Sequence, residues 1–97
     1  MHMSVQGEIL YRAGDNLMLH EYTMPKSGHL MEEGTIVLWR KKVGESVNKG
    51  ETLVEIEADK GVFEAESTVF GTLKEILVQA QQTVPVGTPL AIIDAIE

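Results

Sequence analysis

The richest chemical prospect in this chain of 97 residues is a single lysine. Glu57-Ala58-Asp59-Lys60-Gly61-Val62 lies between two stretches of alternating polarity. Before it, Val54, Ile56 and Ala58 share one face; after it, Phe63 and Ala65 do. Both stretches read as β-strands of period two. A turn from Ala58 to Gly61 sets Ile56 opposite Phe63 and Val54 opposite Ala65, and sends Glu55, Glu57, Glu64 and Glu66 outward. Asp59 and Lys60 then hold the two turn positions, with Gly61 at the last position of a type I turn, where glycine is favoured. A three-residue loop with Gly61 bulged would set Ile56 against Glu64, so burial favours the first register. The outcome is one amine held out at the tip of a hairpin.

Most exposed lysines are simply solvated. Here, apart from Lys60, no Lys or Arg occurs between Lys49 and Lys74, and four glutamates flank the turn. Glu55 facing Glu64 is expected to cost a few tenths to about 1 kcal/mol. An acidic collar around one amine favours a display site read by other proteins. Other chemistries find less support. His2, His20 and His29 show no metal spacing, no Ser–His–Asp order stands out, and no Gly-rich phosphate loop follows a strand. The paired glutamates read as a solvated surface, not a general acid and base in a cleft.

The elements that must position the lysine belong to one small domain, expected to bury about two-thirds or less of its unfolded surface. Cysteine is absent, which excludes disulfides and thiolate metal sites and fits a reducing compartment. No stretch of the sequence approaches a membrane span, and apolar residues make up 43%, so a soluble chain is expected. A net charge of −7 disfavours nucleic acid and anionic membranes and favours basic protein surfaces as partners. Glu8 and Asp15 argue against an Arg-rich transit peptide, and Met1-His2-Met3 reads as an added start.

Residues 1–19 read as an N-terminal extension or arm. They could include an extra hairpin in which Glu8–Arg12 turns at Gly14-Asp15-Asn16 onto Leu17-Met18-Leu19. A strand from His20 to Met24 is stopped by Pro25. Residues 26–34 form a loop whose Leu30 and Met31 are expected to anchor it by packing. From Gly34 onward the chain repeats itself without a gap: residues 34–58 align on 71–95, offset by 37, with seven identities in 25 positions. These are Gly34/Gly71, Thr35/Thr72, Val47/Val84, Gly50/Gly87, Leu53/Leu90, Ile56/Ile93 and Ala58/Ala95. Two copies of one β-unit therefore form the core, each too small to bury its apolar face alone. Each copy runs strand, turn, short strand, Gly turn, strand, and the first copy gives 35–42, turns at Gly44-Glu45 and Asn48-Lys49-Gly50, then 52–58. Ile36 and Trp39 are three apart, yet the short turn spacing favours a strand with room for a bulge, and Trp39 is expected in the core. A pseudo-two-fold would make the end of the chain near Ile96-Glu97 the equivalent of the Lys60 turn, so the lysine would face away from a C-terminal tether.

Met24-Pro25, Glu33-Gly34-Thr35-Ile36-Val37, Trp39, Lys42-Val43-Gly44-Glu45-Ser46-Val47, Lys49-Gly50-Glu51 and Glu55-Ile56-Glu57-Ala58-Asp59-Lys60 together resemble the lipoyl domains of 2-oxo acid dehydrogenase complex dihydrolipoyl acyltransferases. Gly71, Pro85, Val86, Gly87 and residues 90–94 continue the likeness, which spans about residues 20–95. The resemblance implies an all-β fold: a flattened β-barrel, or barrel-sandwich hybrid, of two four-stranded antiparallel sheets related by a pseudo-two-fold, with residues 20–97 as the lipoyl domain. It implies lipoic acid in amide linkage to Lys60, with Asp59, Glu57 and Gly61 shaping hairpin recognition. The loop at residues 26–33 would lie near the hairpin and help select the decarboxylase. The implied role is a carrier, non-catalytic by itself, that shuttles acyl groups and electrons. Its implied partners are a lipoate ligase or lipoyl transferase, a thiamine-diphosphate-dependent 2-oxo acid decarboxylase, an acyltransferase core and dihydrolipoyl dehydrogenase. The implied location is the bacterial cytoplasm or the mitochondrial matrix.

Two departures stand out. Gly61 stands where the family usually has alanine, which is expected to loosen the turn without preventing modification, and residues 1–19 lie outside the pattern. A biotin carboxyl carrier shares the fold, but its lysine is flanked by methionines, whereas Lys60 sits between Asp59 and Gly61. A glycine-cleavage carrier has more helix. An unmodified barrel-sandwich interaction module is the alternative of a different class, and such modules generally lack the hairpin lysine.

Overall fold

Alternating apolar and polar residues punctuated by glycine turns leave the backbone one way to satisfy its hydrogen bonds while burying one face: antiparallel ladders. The computed structural model describes residues 9–11 and 18–96 and contains nine strands among them. They are β1 (Ile9–Tyr11), β2 (Met18–Thr23), β3 (Glu33–Trp39), β4 (Ser46–Val47), β5 (Thr52–Ala58), β6 (Gly61–Glu66), β7 (Gly71–Ile76), β8 (Thr83–Pro85) and β9 (Pro89–Ala95). One sheet has the order β6-β5-β3-β8 and the other β1-β2-β9-β7-β4. Eight strands thus build the two expected four-stranded sheets, and β1 adds a fifth strand at one edge. No helix among the described residues is long and apolar enough to cross a membrane. The possible turn at Gly14–Asn16 lies outside the described residues.

The internal repeat is geometric as well as chemical. β3, β4 and β5 map onto β7, β8 and β9 at the same offset of 37. Each copy lends its short strand to the other: β4 pairs with β7, and β8 with β3. The bulge between Ile36 and Leu38 in β3 recurs between Leu73 and Glu75 in β7. That extra residue lets Ile36 and Trp39 both face inward at a spacing of three, while Leu38 is turned out. Turn hydrogen bonds repeat too. Gly44 N–H donates to the Leu73 carbonyl at 2.8 Å, and Gln81 N–H to the Ile36 carbonyl at 2.7 Å.

The symmetry extends further than sequence identity does. On β9, Met18 pairs with Ala95, Leu19 with Asp94 and His20 with Ile93. On β5, Gly61 pairs with Ala58, Val62 with Glu57 and Phe63 with Ile56. β2 is therefore the counterpart of β6. Both ladders even slip near their far ends, between Tyr22 and Thr23 and between Thr52 and Val54.

Between the sheets lies one core. Its fully buried members come largely in repeat-related pairs: Ile36 with Leu73, Leu53 with Leu90, and Ile56 with Ile93. Burying each such side chain contributes roughly 1.5–3 kcal/mol. Met24 and Val47 complete the interior. Trp39 is half-buried at its margin, with Nε1–H donating to the Val78 carbonyl at 2.9 Å. The strand containing it stops at Trp39, not at residue 42. Tyr22 ties the sheets together, its hydroxyl donating to the Glu66 carbonyl at 3.0 Å.

Candidate functional site

The β5–β6 hairpin takes the register that burial of its apolar face demands: Val54 opposite Ala65, Glu55 opposite Glu64, Ile56 opposite Phe63, and Ala58 closing on Gly61. Ile56 and Ala65 are buried, and Glu57, Glu64 and Glu66 are exposed on the other face. Only Asp59 and Lys60 remain for the turn, and both are exposed. Neither has a positive φ, whereas Gly61 has φ +130°. A two-residue loop built without positive φ splays its strands, so the residue after it must restore their twist. Gly61 does so in a conformation that L side chains rarely adopt. An alanine at this place would be strained on that backbone.

Among the described residues, no hydrogen bond or ion pair engages the Lys60 side chain. The anchored β5–β6 ladder fixes the base of the turn, and the amine projects from it. Glu57 and Asp59 remain as its acidic neighbours, and Gly61 completes the turn. The structure thus brings Glu57, Asp59, Lys60 and Gly61 onto one hairpin tip.

The acidic collar is less bare than its sequence suggests. Arg40, just after β3, sits 3.1 Å through Nε from Glu55 and 3.4 Å through Nη2 from Glu64. Glu64 also accepts from Thr52 Oγ1 at 3.3 Å. The expected Glu55–Glu64 repulsion is therefore bridged by a cation that lies far away in the chain. Lys41 similarly pairs with Glu51 at 2.8 Å. That hydrogen bond, and a second from the Asn48 N–H, hold the Glu51 carboxyl below its ordinary range. The negative face left for a partner is concentrated nearer the tip, at Glu57 and Asp59.

Beside the tip, the loop at residues 27–33 and the hairpin at 58–63 form the two walls of a groove. Met31 anchors this loop, half-buried against the core, with its Sδ accepting from Ser27 N–H at 3.3 Å. Leu30 does not: it is 85% exposed. Anchoring both Leu30 and Met31 would require adjacent residues to point the same way, and the loop turns only one of them inward. Val62, across the groove, is 57% exposed. No cluster of three or more His, Cys, Asp or Glu side chains among the described residues could hold a metal ion.

Comparison with known proteins agrees with this geometry. The biotin/lipoyl family model, described as "Biotin-requiring enzyme", matches residues 20–93. The chain is 42% identical over 73 residues to the dihydrolipoyllysine-residue succinyltransferase component of the 2-oxoglutarate dehydrogenase complex of Staphylococcus saprophyticus, covering 75% of this chain and 17% of that protein. It is 41% identical over 71 residues to the dihydrolipoyllysine-residue acetyltransferase component of the pyruvate dehydrogenase complex of Rickettsia bellii, covering 72% and 17%. The chain thus spans about a sixth of the length of these curated relatives. Among solved structures, the lipoyl domain of the 2-oxoglutarate dehydrogenase complex of Azotobacter vinelandii superposes with a TM-score of 0.62 at 33% identity, covering 75% of this chain and 92% of that one. A two-sheet barrel with a lysine at its hairpin tip, joined to these likenesses, makes the chain a member of the biotin/lipoyl family with the fold of a lipoyl domain.

Proposed function

We propose that Lys60 carries lipoic acid in amide linkage and that the domain is the mobile carrier of a 2-oxo acid dehydrogenase complex, as part of its dihydrolipoyl acyltransferase. The observation that carries this reading is the exposed lysine at a two-residue turn, on a chain similar to dihydrolipoyllysine-residue acyltransferase components. The residues present fit the group. Lys60 is exposed at the hairpin tip, where its amine is accessible for acylation. When bound, a lipoyl group supplies a dithiolane that accepts acyl groups and electrons.

The protein's own part is positioning. An amine does not form an amide with a free carboxylate unaided, so a lipoate ligase or lipoyl transferase must bring an activated donor. The hairpin holds the amine where such an enzyme can close around it, while Glu57 and Asp59 offer negative charge to basic partner surfaces. The partners in this reading are a thiamine-diphosphate-dependent decarboxylase, the acyltransferase core and dihydrolipoyl dehydrogenase. Tethering to one assembly raises the local concentration of the domain at each site, so weak docking suffices. The reading carries the expectation of a bacterial cytoplasmic or mitochondrial matrix location.

Intact mass after co-expression with a lipoate ligase tests the assignment. One lipoyl addition is expected, mapped by peptide analysis to Lys60 and absent from Lys60→Arg. Biotin at that position, or no addition, would overturn it. For the acidic surface, Glu57→Lys should lower the rate of reductive acylation while leaving the melting temperature within about 2 °C, as expected for a surface change. Unchanged acylation kinetics would remove Glu57 from the recognition surface.

A further inference from the structure

The pseudo-two-fold has one odd member. β1 lies against the outer edge of β2, with Leu10 opposite Leu19 and the pairing running from Met18 to His20. The counterpart of β2 is β6, and by register the counterparts of Met18, Leu19 and His20 are Gly61, Val62 and Phe63. Among the described residues β6 is the edge of its sheet and has no strand beside it at this place. Ala58 and Gly61 close a two-residue turn and exchange the ladder's bonds, so by alternation Val62 directs its N–H and C=O away from β5. Val62 also lines the groove walled by the loop at residues 27–33.

Natural sheets usually blunt such edges. β4 has two residues, and β8 has three and ends at Pro85. β6 has six, and at Val62 it carries an exposed β-branched side chain in place of a charge. The groove combines that open edge with an exposed apolar pair, Leu30 and Val62, and with the acids Glu32, Glu33 and Asp59. We infer that the outer edge of β6 at Val62 accepts an extended, basic segment of a partner protein as an added strand, occupying the place that β1 holds on the other sheet. Its main chain pairs with Val62, an apolar side chain lies between Leu30 and Val62, and flanking lysines or arginines meet the groove's carboxylates. Lys60 itself lines the same groove beside these carboxylates, and the pairing does not depend on its modification.

The test uses the unmodified domain, labelled with nitrogen-15, and a short blocked peptide of alternating valine and lysine as probe. Saturable shifts centred on the Val62 amide, with slowed exchange of its proton, are expected. The same peptide N-methylated at alternate residues cannot pair with the edge and should lose binding at least tenfold. Glu32→Lys with Glu33→Lys should weaken binding by about tenfold at low salt. Equal binding of the N-methylated peptide, shifts centred on another edge, or no shifts at all would overturn the inference. Shifts at Val62 that grow with protein concentration in the absence of peptide would identify a second copy as the occupant and overturn it equally.

Discussion

Arg40 decides whether the glutamate collar is a cost or a support. Its guanidinium reaches both Glu55 and Glu64, which face each other across the hairpin. Removing it should leave the two carboxylates repelling at short range. Arg40→Ala is expected to lower stability by about 0.5–1 kcal/mol, and the deficit should shrink as salt screens the pair. Urea titrations at low and high ionic strength would show this, and an equal loss at both would refute it. Gly61 is the other decisive single residue, because its φ of +130° strains any residue with a side chain. Gly61→Ala should cost about 1–2 kcal/mol in chemical denaturation and shift the Asp59 and Lys60 amides. A neutral substitution would mean that the turn has a second backbone solution of equal energy.

Among elements, the repeated unit shows where two copies solve the same problem with different residues. The turn after the bulged strand needs a left-handed residue, supplied by Gly44 at φ +98° in one copy and by Gln81 at φ +77° in the other. A glutamine pays for that conformation with steric strain of roughly 1–2 kcal/mol, only partly offset by the greater chain entropy glycine loses on folding. Gln81→Gly is therefore expected to stabilise the domain by a few tenths to about 1 kcal/mol, read as a rise of a few degrees in melting temperature. A fall would show that the glutamine side chain contributes more than its backbone loses. Within the same unit, the hairpin register was legible in residues 53–66, because pairing Ile56 with Phe63 and Val54 with Ala65 is what buries both strands' apolar faces. The loop side chains were not legible in this way. Leu30 and Met31 are adjacent and both apolar, and only the position of the core beneath Met31 determines which is covered.

At the scale of the whole molecule, Tyr22 reports whether the two sheets are joined. Its phenol is pushed up to about 12 from 10.0, first by burial and then by the negative charge of Glu66. Below pH 10 it is protonated in both folded and unfolded chains. Between about pH 10 and 12 the unfolded chain gives up the proton and the folded one keeps it, so stability should fall through that window by about 2–3 kcal/mol at most. Tyr22→Phe should remove this fall while costing about 1 kcal/mol at neutral pH through the lost hydrogen bond to Glu66. Parallel alkaline titrations of the two proteins would fail to differ if the phenol were solvated. The same scale sets the polarity of the domain: Ile96 N–H donates to the Phe70 carbonyl, beyond the far end of β6 from the Lys60 turn.

The amino-acid order alone determined the strands, the doubled unit and the exposed amine, because alternation, glycine turns and an exact 37-residue offset are local or periodic signals along the chain. It also carried the family resemblance, which rests on short motifs. Only the folded molecule decided that Arg40 bridges Glu55 and Glu64, that β2 is the counterpart of β6, and that β1 fills one edge while, among the described residues, no strand covers the other at Val62. Those facts join residues many positions apart with no shared pattern, and they exist only once two sheets have closed over a common core.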